Sequence, residues 1–289
     1  MNVYDQTTRN RRNAWLLFLG FFAVMYVLGW VISAYYGMGD FGIILILALA
    51  LVYSMISYYL GSLMILGVNG AKEAKKEEYP YLYNTVEGLS IAAGLPMPKV
   101  YVMDDPSPNA FATGRDPAHS SVAVTTGLLG RLNRLELEGV IAHELSHIKN
   151  YDIRFTMLVI AMVGAIGLLA GFASRMFWHG GGRRDKNSGA IMIIAVVVAI
   201  LAPLFAHLVK LAISRKREYM ADATGALLTR YPKGLADALK KIAQAEPMKS
   251  ADQTSAPLYI SNPFGRNAIS GLFSTHPPIE DRIKRLESM

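Results

Sequence analysis

The sequence of 289 residues contains no cysteine, and only 18% of its residues are charged. The first absence excludes a disulfide framework, a cysteine nucleophile and any metal site built from thiolates. The shortage of charge, set beside 52% apolar residues and a mean hydropathy of +0.27, excludes a disordered chain and indicates a membrane protein. Basic residues outnumber acidic ones, and the net charge is +7. In so apolar a chain, this excess predicts contact with anionic lipid headgroups and no nucleic-acid partner.

Two long runs without charge open the sequence, at residues 14–36 and 41–71. Each exceeds the roughly 20 residues that a helix needs to cross a bilayer, and the short connection between them makes them an antiparallel pair. The arginines before the first run resemble the start of a signal peptide. That run is too long for a signal peptide and a second one follows at once, so we predict a transmembrane hairpin over residues 1–71.

Two further apolar runs lie at residues 155–174 and 188–209. Arginines precede the first run of the chain and lysines follow the second, so the positive-inside rule places both ends of the hairpin inside the cell. The loop between runs three and four is also basic. If both of these runs cross, that loop faces outside, against the rule. Long helices buried beside the membrane are the alternative. We favour crossing and predict four hydrophobic helices, the second pair over residues 155–213.

The remaining segments, residues 72–154 and 214–289, are predicted to face water. The charged stretch at residues 72–78 is predicted to be a linker or the start of a helix, and the polar stretch at residues 247–267 a loop. Residue patterns predict strands at 99–103, 109–113 and 121–126, helices at 81–93, 135–149, 214–229 and 234–245, and a last helix after Pro277 and Pro278.

The helix predicted at residues 135–149 carries the sequence His143-Glu144-Leu145-Ser146-His147. Residues four apart lie one turn above each other, so both imidazoles can bind one metal ion at roughly 2.0–2.1 Å. The intervening acid lies about 100° around the helix, close enough to contact a metal-bound water without displacing it. The pattern is typical of zinc proteases, and it predicts two metal-binding histidines and a catalytic glutamate. A histidine pair satisfied by hydrogen bonds in a core is the alternative.

A catalytic zinc site needs a third protein ligand and an open position. Ile153 stands where a metzincin has its third histidine, which excludes that class. Among the acids we choose Glu218 as the ligand, with Asp222, one helical turn later, orienting a ligating imidazole. The alternative is a solvated acid pair beside two arginines. Asp152 either supports the same site or pairs with Arg154.

These features together resemble the HtpX family of membrane-integrated zinc endopeptidases, which is related to the CaaX prenyl proteases. The resemblance covers nearly the whole chain and includes the membrane-spanning start, the metal motif, the later acid pair and a Thr-His-Pro-Pro sequence at residues 275–278. It implies a mainly α integral membrane protein with a cytosolic, gluzincin-like α+β metalloprotease domain. It also implies a multi-pass protein of the prokaryotic inner membrane whose active site faces the cytoplasm.

The resemblance implies a function and assigns roles to residues. The chain is expected to hydrolyse peptide bonds of misfolded or damaged membrane proteins, as part of protein quality control and stress response. It would hold one zinc ion per chain on His143, His147 and Glu218, with Glu144 as the general base. Asp222 is given a second role, that of proton donor to the leaving amine.

A further segment, Asn109-Ala110-Phe111-Ala112, resembles an edge strand that lines the cleft in this family. It would hold an extended peptide substrate through main-chain hydrogen bonds. A core strand with Phe111 buried is the alternative. His276 is expected either to point into the cleft and stabilise developing charge or to cap the final helix.

Three other functions compete with this interpretation. A prenyl-protein protease is expected to need a larger chamber than four spans can build. A non-catalytic membrane scaffold with a metal site has no need of Glu144. A metal transporter would carry ionisable residues inside its spans, where only His207 is found. We therefore predict an endopeptidase whose partners are the lipid bilayer and membrane-protein substrates.

Overall fold

The computed structural model describes residues 3–179, 215–249, 251–252, 255–264 and 277–289. The fourth predicted hydrophobic helix lies outside the described residues, as does His276. In the described part, helices predominate and the strands form one small mixed sheet. This agrees with the predicted combination of a mainly helical protein and an α+β domain.

A helical hairpin opens the chain. Helix α1 spans Val3–Tyr36, and helix α2 spans Asp40–Val68. The turn between them contains Gly37 and Gly39, whose φ angles of 67° and 57° lie in the left-handed region that glycine adopts without steric cost. The two helices pack against each other in the antiparallel arrangement that the short connection predicts.

Helix α2 is the one described helix that is long and apolar enough to cross a membrane, and α1 contains a shorter apolar stretch, Phe18–Trp30. Large apolar side chains of both helices are exposed, among them Leu49 at 60% and Trp30 at 59%. The third apolar run forms part of a later helix, Asp152–His179. The described structure thus contains at least one candidate transmembrane helix, against four predicted for the whole chain.

The sheet has four strands in the order β1-β2-β4-β3. Strands β2 and β4 are parallel, while β1 and β3 run antiparallel to their neighbours, so that β3 lies at one edge. The three predicted strands are present within one residue. Strand β1 was not predicted, because two exposed charged residues carry no strand pattern. The strands are β1 Lys72–Glu73, β2 Lys99–Met103, β3 Ala110–Gly114 and β4 Ser120–Thr125.

Helices surround this sheet and join it to the hairpin. The predicted helices are present with ends shifted by one or two residues, and one short helix, α4, was not predicted. The remaining described helices are α3 Pro80–Ala93, α4 Thr126–Arg131, α5 Arg134–Lys149, α6 Asp152–His179, α7 Arg215–Thr229, α8 Pro232–Ala243 and α9 Ile279–Glu287. Helix α5 lies at the centre, where it packs against α7, α8 and α3.

Candidate active site

Helix α5 carries the His-Glu-x-x-His motif into the interior. A capping box fixes its first turn: the Asn133 side chain accepts a hydrogen bond from the Glu136 amide, and the Glu136 side chain accepts one from the Asn133 amide. Ile141 and Leu145 of this helix are completely buried, and so is His143. The motif therefore faces protein on most sides, and its polar groups need partners there.

Helix α7 approaches α5 closely at the motif because Gly225 has no side chain. A Cβ atom at this position would lie 3.1 Å from the backbone nitrogen of His143. The approach brings Glu218, two turns earlier on α7, next to the motif. Glu218 and Asp222 are only 6% and 2% exposed, so the alternative of a solvated acid pair is wrong.

Three side chains of α5 and α7 meet at one point. Donor atoms of His143, His147 and Glu218 all lie within 4.8 Å of one another. The two Nε2 atoms are 3.2 Å apart, and Glu218 carboxylate oxygens lie 3.8 Å from Nε2 of His143 and 3.5 Å from Nε2 of His147. Tetrahedral ligands at roughly 2.0–2.1 Å from zinc are about 3.3 Å apart. The triangle therefore has the size of a zinc site with three protein ligands.

The other ring nitrogens determine what the two Nε2 atoms can do. His143 Nδ1 lies 2.9 Å from Asp222 Oδ1, and His147 Nδ1 lies 3.0 Å from Asp152 Oδ2. A neutral imidazole that donates from Nδ1 presents a lone pair at Nε2. Two such lone pairs only 3.2 Å apart repel each other unless a proton or a cation lies between them. The donor set thus fits a metal ion, and carboxylates behind the histidines are typical of zinc sites.

The surroundings shift the pKa values of the two histidines in opposite directions. Burial lowers the pKa of His143 to about 4, against the effect of its hydrogen bond with Asp222. Burial also lowers the pKa of His147, but the hydrogen bond to Asp152 and the charges of Glu218 and Asp152 outweigh it and raise the pKa to about 9. Near neutral pH and without a metal ion, His143 is neutral, whereas His147 is an imidazolium. A metal ion must replace the second ring proton of His147.

Glu144 lies beside this triangle and is only 1% exposed. Neither carboxylate oxygen accepts a hydrogen bond of normal geometry from a described residue. Burial raises the pKa of Glu144 to about 7, while the charges of His147 and Arg282 act to lower it. A carboxylate that gains and loses a proton near pH 7 suits general acid–base catalysis.

Comparison with known proteins reveals the family. The profile of peptidase family M48 matches residues 76–289 of the chain. The chain belongs to this family. Two similar proteins are protease HtpX homologs, from Dictyoglomus turgidum (51% identical, 99% of this chain and 94% of the relative) and Lactobacillus helveticus (47% identical, 99% and 100%). The M48 chain also shares its fold with the crystal structure of S. mikatae Ste24p, at a TM-score of 0.55 and 19% identity; the match covers 99% of this chain and 66% of that protein.

The resemblance to the HtpX family is therefore confirmed. This M48 chain is a metalloendopeptidase with a metal site formed by His143, His147 and Glu218, a set typical of zinc peptidases. It is also a membrane protein, with α2 as a candidate transmembrane helix.

The M48 site contains a residue that the sequence analysis missed. Arg282 of α9 is completely buried, and it donates two hydrogen bonds to Asp222, of 2.7 and 2.9 Å. It donates a third, of 3.0 Å, to the carbonyl oxygen of Ile260. Burial alone would raise the pKa of Asp222, but Arg282 and His143 lower it to about 2. Arg282 therefore holds in place the carboxylate that contacts a metal ligand.

A signal for Arg282 was present in the sequence. It lies three residues after Ile279 and four before Leu286, on the same face of α9 as these apolar residues. A charged residue on the buried face of a helix needs a buried partner of opposite charge. That partner could not be identified from sequence, because it lies 60 residues earlier, in α7.

Asp152 supports the second histidine of the M48 motif. Its Oδ2 atom lies 3.0 Å from His147 Nδ1, and its Oδ1 atom lies 3.8 Å from Arg217 Nε. The Arg217 guanidinium in turn stacks over the ring of Phe155, 4.0 Å from its centroid. Arg154 instead donates to a backbone carbonyl outside the site. Of the two roles considered for Asp152, the structure shows support of the metal site.

The strand predicted to bind substrate is partly covered by residues 257–261, which we call the covering segment. Phe111 of β3 forms an antiparallel bridge with Tyr259, and their rings are 5.0 Å apart. The amide of Ile260 donates a 2.9 Å hydrogen bond to the carbonyl of Ala110. The Asn109 side chain also donates to a backbone carbonyl of this segment. The first half of the outer edge of β3 is therefore already paired.

Beyond the covered half, β3 reaches a small cavity of about 30 Å³ next to the metal ligands. Ala112 lines this cavity together with Glu144, His147, Glu218 and Leu258. Of the four residues predicted to bind substrate, Ala112 is the one found among the described lining residues. All four are buried, and Phe111 is 0% exposed, as expected for a core strand.

The covering segment is tied to the end of the second hydrophobic helix. Asn69 Oδ1 accepts hydrogen bonds from Tyr259 Oη at 2.9 Å and from Ser255 Oγ at 3.0 Å. The Asn69 side-chain nitrogen donates to the carbonyl of Ile65 at 2.8 Å. Asn69 is only 3% exposed, so these bonds are made away from water and hold the segment against β3.

Proposed function

We propose that the chain is a zinc-dependent endopeptidase that hydrolyses peptide bonds of misfolded or damaged membrane proteins at the cytoplasmic face of a prokaryotic inner membrane. The observation that carries the proposal is the buried carboxylate of Glu144, which lines the same small cavity as two of the three metal-donor residues, His147 and Glu218. The hydrophobic hairpin next to the domain supports the proposal that the substrates are membrane proteins. The similar HtpX homologs are named as proteases, which supports the proposed reaction.

We propose zinc as the metal, with one ion per chain. Two imidazoles and one carboxylate form a ligand set of catalytic zinc sites, which keep a further position open. When bound, the ion would activate a water molecule and polarise the scissile carbonyl. His143, His147 and Glu218 would hold it, while Asp222 and Asp152 keep both imidazoles in the tautomer that binds metal.

Glu144 would move the protons of the reaction. Its carboxylate accepts a proton from the water that attacks the scissile carbonyl carbon, and then delivers this proton to the nitrogen that leaves when the C–N bond breaks. Both steps need a group whose pKa lies near the working pH. Burial raises the pKa of Glu144 to about 7, which meets this need.

Asp222 would position His143 and would not donate a proton. A proton donor must hold a proton near pH 7, whereas the pKa of Asp222 is lowered to about 2 by Arg282 and His143. Both of its oxygens already accept hydrogen bonds from Arg282. We therefore assign proton delivery to Glu144 alone among the described residues.

A peptide substrate would bind along the outer edge of β3. Ala112 already faces the cavity at the metal ligands, so we propose that it contacts the peptide next to the scissile bond. Asn109, Ala110 and Phe111 can extend this contact only after the covering segment moves away. The segment thus occupies the place that the proposed substrate needs.

The membrane topology is proposed from the charges at the helix ends. Basic residues lie in the first turns of α1, before its apolar part, and others follow α2, which supports a domain and an active site in the cytoplasm. Helix α6 has 28 residues, enough for a third crossing. The apolar run at residues 188–209 would supply the fourth.

The test is cleavage of an unfolded reporter protein by purified chain in detergent, stripped of metal and then given zinc. Glu144→Gln is compared with the wild type, and Glu138→Gln, on the same helix but outside the site, is the matched control. We expect zinc to restore cleavage in the wild type and the control only, while all three bind one zinc ion. If all three bind zinc and none cleaves, the chain is a metal-binding scaffold. Cleavage restricted to prenylated peptides would point to a prenyl-protein protease.

A further inference from the structure

A second cavity, of about 240 Å³, lies between the helical hairpin, α6 and the end of β3. It shares no described lining residue with the cavity at the metal ligands. No carboxylate is found among its described lining residues. Its apolar wall consists of Phe18, Phe21, Met157, Leu158, Ala161 and Met162.

Two arginines, Arg115 and Arg154, also line this cavity. Arg154 is held in place, because it donates to the carbonyl oxygen of Arg115 at 2.9 Å and to Tyr58 Oη at 3.2 Å. The Arg115 guanidinium lies over the ring of Tyr59, 5.3 Å from its centroid, and its side chain is 25% exposed. The two arginines are thus joined by a hydrogen bond, and both line the same cavity.

The charge at this position stays positive. The acid next to it, Asp116, lies 3.6 Å from Arg115 Nε. The same carboxylate makes a shorter contact, of 2.8 Å, with His119. Two guanidiniums therefore face at most one carboxylate among the described residues, and an anion is the expected partner of the remaining charge.

The cavity lies about one hydrocarbon thickness along α2 from the hairpin turn, a distance that corresponds to the headgroup level. Counting from the start of α2 at Asp40, about 20 residues cross the roughly 30 Å of hydrocarbon. A crossing of this length that begins at Asp40 reaches Tyr58 and Tyr59, which line the cavity. The same count back from the end of α1 stops next to Phe18, which also lines the cavity. Tyrosine and arginine are the side chains that proteins place at this level of the membrane.

One kind of molecule satisfies both the charge and the apolar wall. We propose that this cavity binds an anionic phospholipid, with its phosphate between Arg115 and Arg154 and one acyl chain along the apolar wall. Free phosphate would leave the wall without a partner, and a neutral lipid would leave the arginines without an anion. Basic pockets between membrane helices on the cytoplasmic side bind such headgroups. The proposal does not rest on the proposed protease function.

The test is the binding of short-chain phosphatidylglycerol to the full-length protein in a neutral detergent, measured by native mass spectrometry. Short-chain phosphatidylcholine and inorganic phosphate are titrated in parallel. We compare the wild type with Arg115→Gln and with the double variant Arg115→Gln/Arg154→Gln. The matched control, Lys76→Gln/Arg134→Gln, removes two cations that also lie over tyrosine rings but are not among the lining residues of the cavity.

We expect one phosphatidylglycerol per chain, bound about fivefold more weakly after Arg115→Gln and about thirtyfold more weakly in the double variant, since each cation near an anionic headgroup contributes about fivefold. The control should bind within about twofold of the wild type. Arg115→Gln keeps the backbone carbonyl that orders Arg154, so its result counts even if the double variant does not fold. A third variant, Ala161→Phe, should exclude the acyl chain while both arginines remain.

Three results would overturn the proposal. Equal binding of phosphatidylcholine and phosphatidylglycerol would show an apolar groove without headgroup selection. Competition by inorganic phosphate at the same concentration as the lipid would show a site for free phosphate. Unchanged binding in both Arg115→Gln and Ala161→Phe would show that the lipid binds elsewhere on the hydrophobic hairpin.

Discussion

Replacing Arg282 by Met tests whether the buried ion pair with Asp222 holds the metal site together. Arg282 is 0% exposed and Asp222 2% exposed, and two hydrogen bonds of 2.7 and 2.9 Å join them. Removing one partner of a buried pair costs about 3–5 kcal/mol, because the other charge stays buried without compensation. At about 2–4 °C per kcal/mol, the thermal midpoint in detergent should fall by roughly 10 °C. Zinc affinity should fall by about 10- to 100-fold, because Asp222 also orients His143.

A second change separates the charge effect from the loss of packing. Asp222→Asn in the Arg282→Met background removes the uncompensated charge, and its amide oxygen can still accept a hydrogen bond from His143 Nδ1. We expect the double variant to regain about 2 kcal/mol of the stability lost in the single variant, because the two residues are directly coupled. Thermal unfolding followed by circular dichroism measures this. If the single and double variants melt at the same temperature, the reasoning from buried charge is refuted.

Three more predictions follow from the site. Glu144→Gln should keep zinc bound and lower kcat by about 10²- to 10⁴-fold, the usual contribution of a general base; an active variant would assign the proton transfer elsewhere. Because the pKa of His147 is raised to about 9 without metal, zinc affinity should rise about tenfold per pH unit between about pH 7.5 and 8.5 as the proton is lost; calorimetry in several buffers should count about one proton released. Tyr259→Phe breaks the hydrogen bond to Asn69 and should lower the free energy of unfolding by about 1–2 kcal/mol. The same variant should raise kcat/KM for extended peptides. An unchanged kcat/KM would argue against movement of the covering segment.

The metal ligands could be predicted because the information is local. His143 and His147 lie four residues apart in one helix, and helical geometry alone places both imidazoles on one face. Glu218 lies 71 residues after His147, but it is followed by Asp222 at the same spacing of four residues. Strand β2 was predicted at its observed ends for the same reason, since its pattern and its turn residues are local.

The parts that were missed depend on contacts between distant segments. Nothing near Asn69 or Tyr259 indicates that these residues, 190 positions apart, share a hydrogen bond. The pairing of the covering segment with Ala110 is equally distant in the chain. An edge strand can be predicted from its sequence pattern, but whether that edge is free depends on where a later loop folds.

The ionisable groups around the metal ligands have a net charge that accounts both for the raised pKa values of Glu144 and His147 and for the fit of a divalent cation. Four carboxylates and two guanidiniums are buried there, next to the two histidines: Glu144, Asp152, Glu218, Asp222, Arg217 and Arg282. With every acid ionised, their sum is two negative charges, which one divalent cation cancels. Without the cation, the raised pKa values of Glu144 and His147 let two protons supply the same charge. Since a buried region tolerates little net charge, taking up protons and taking up a metal ion are two routes to one neutral interior.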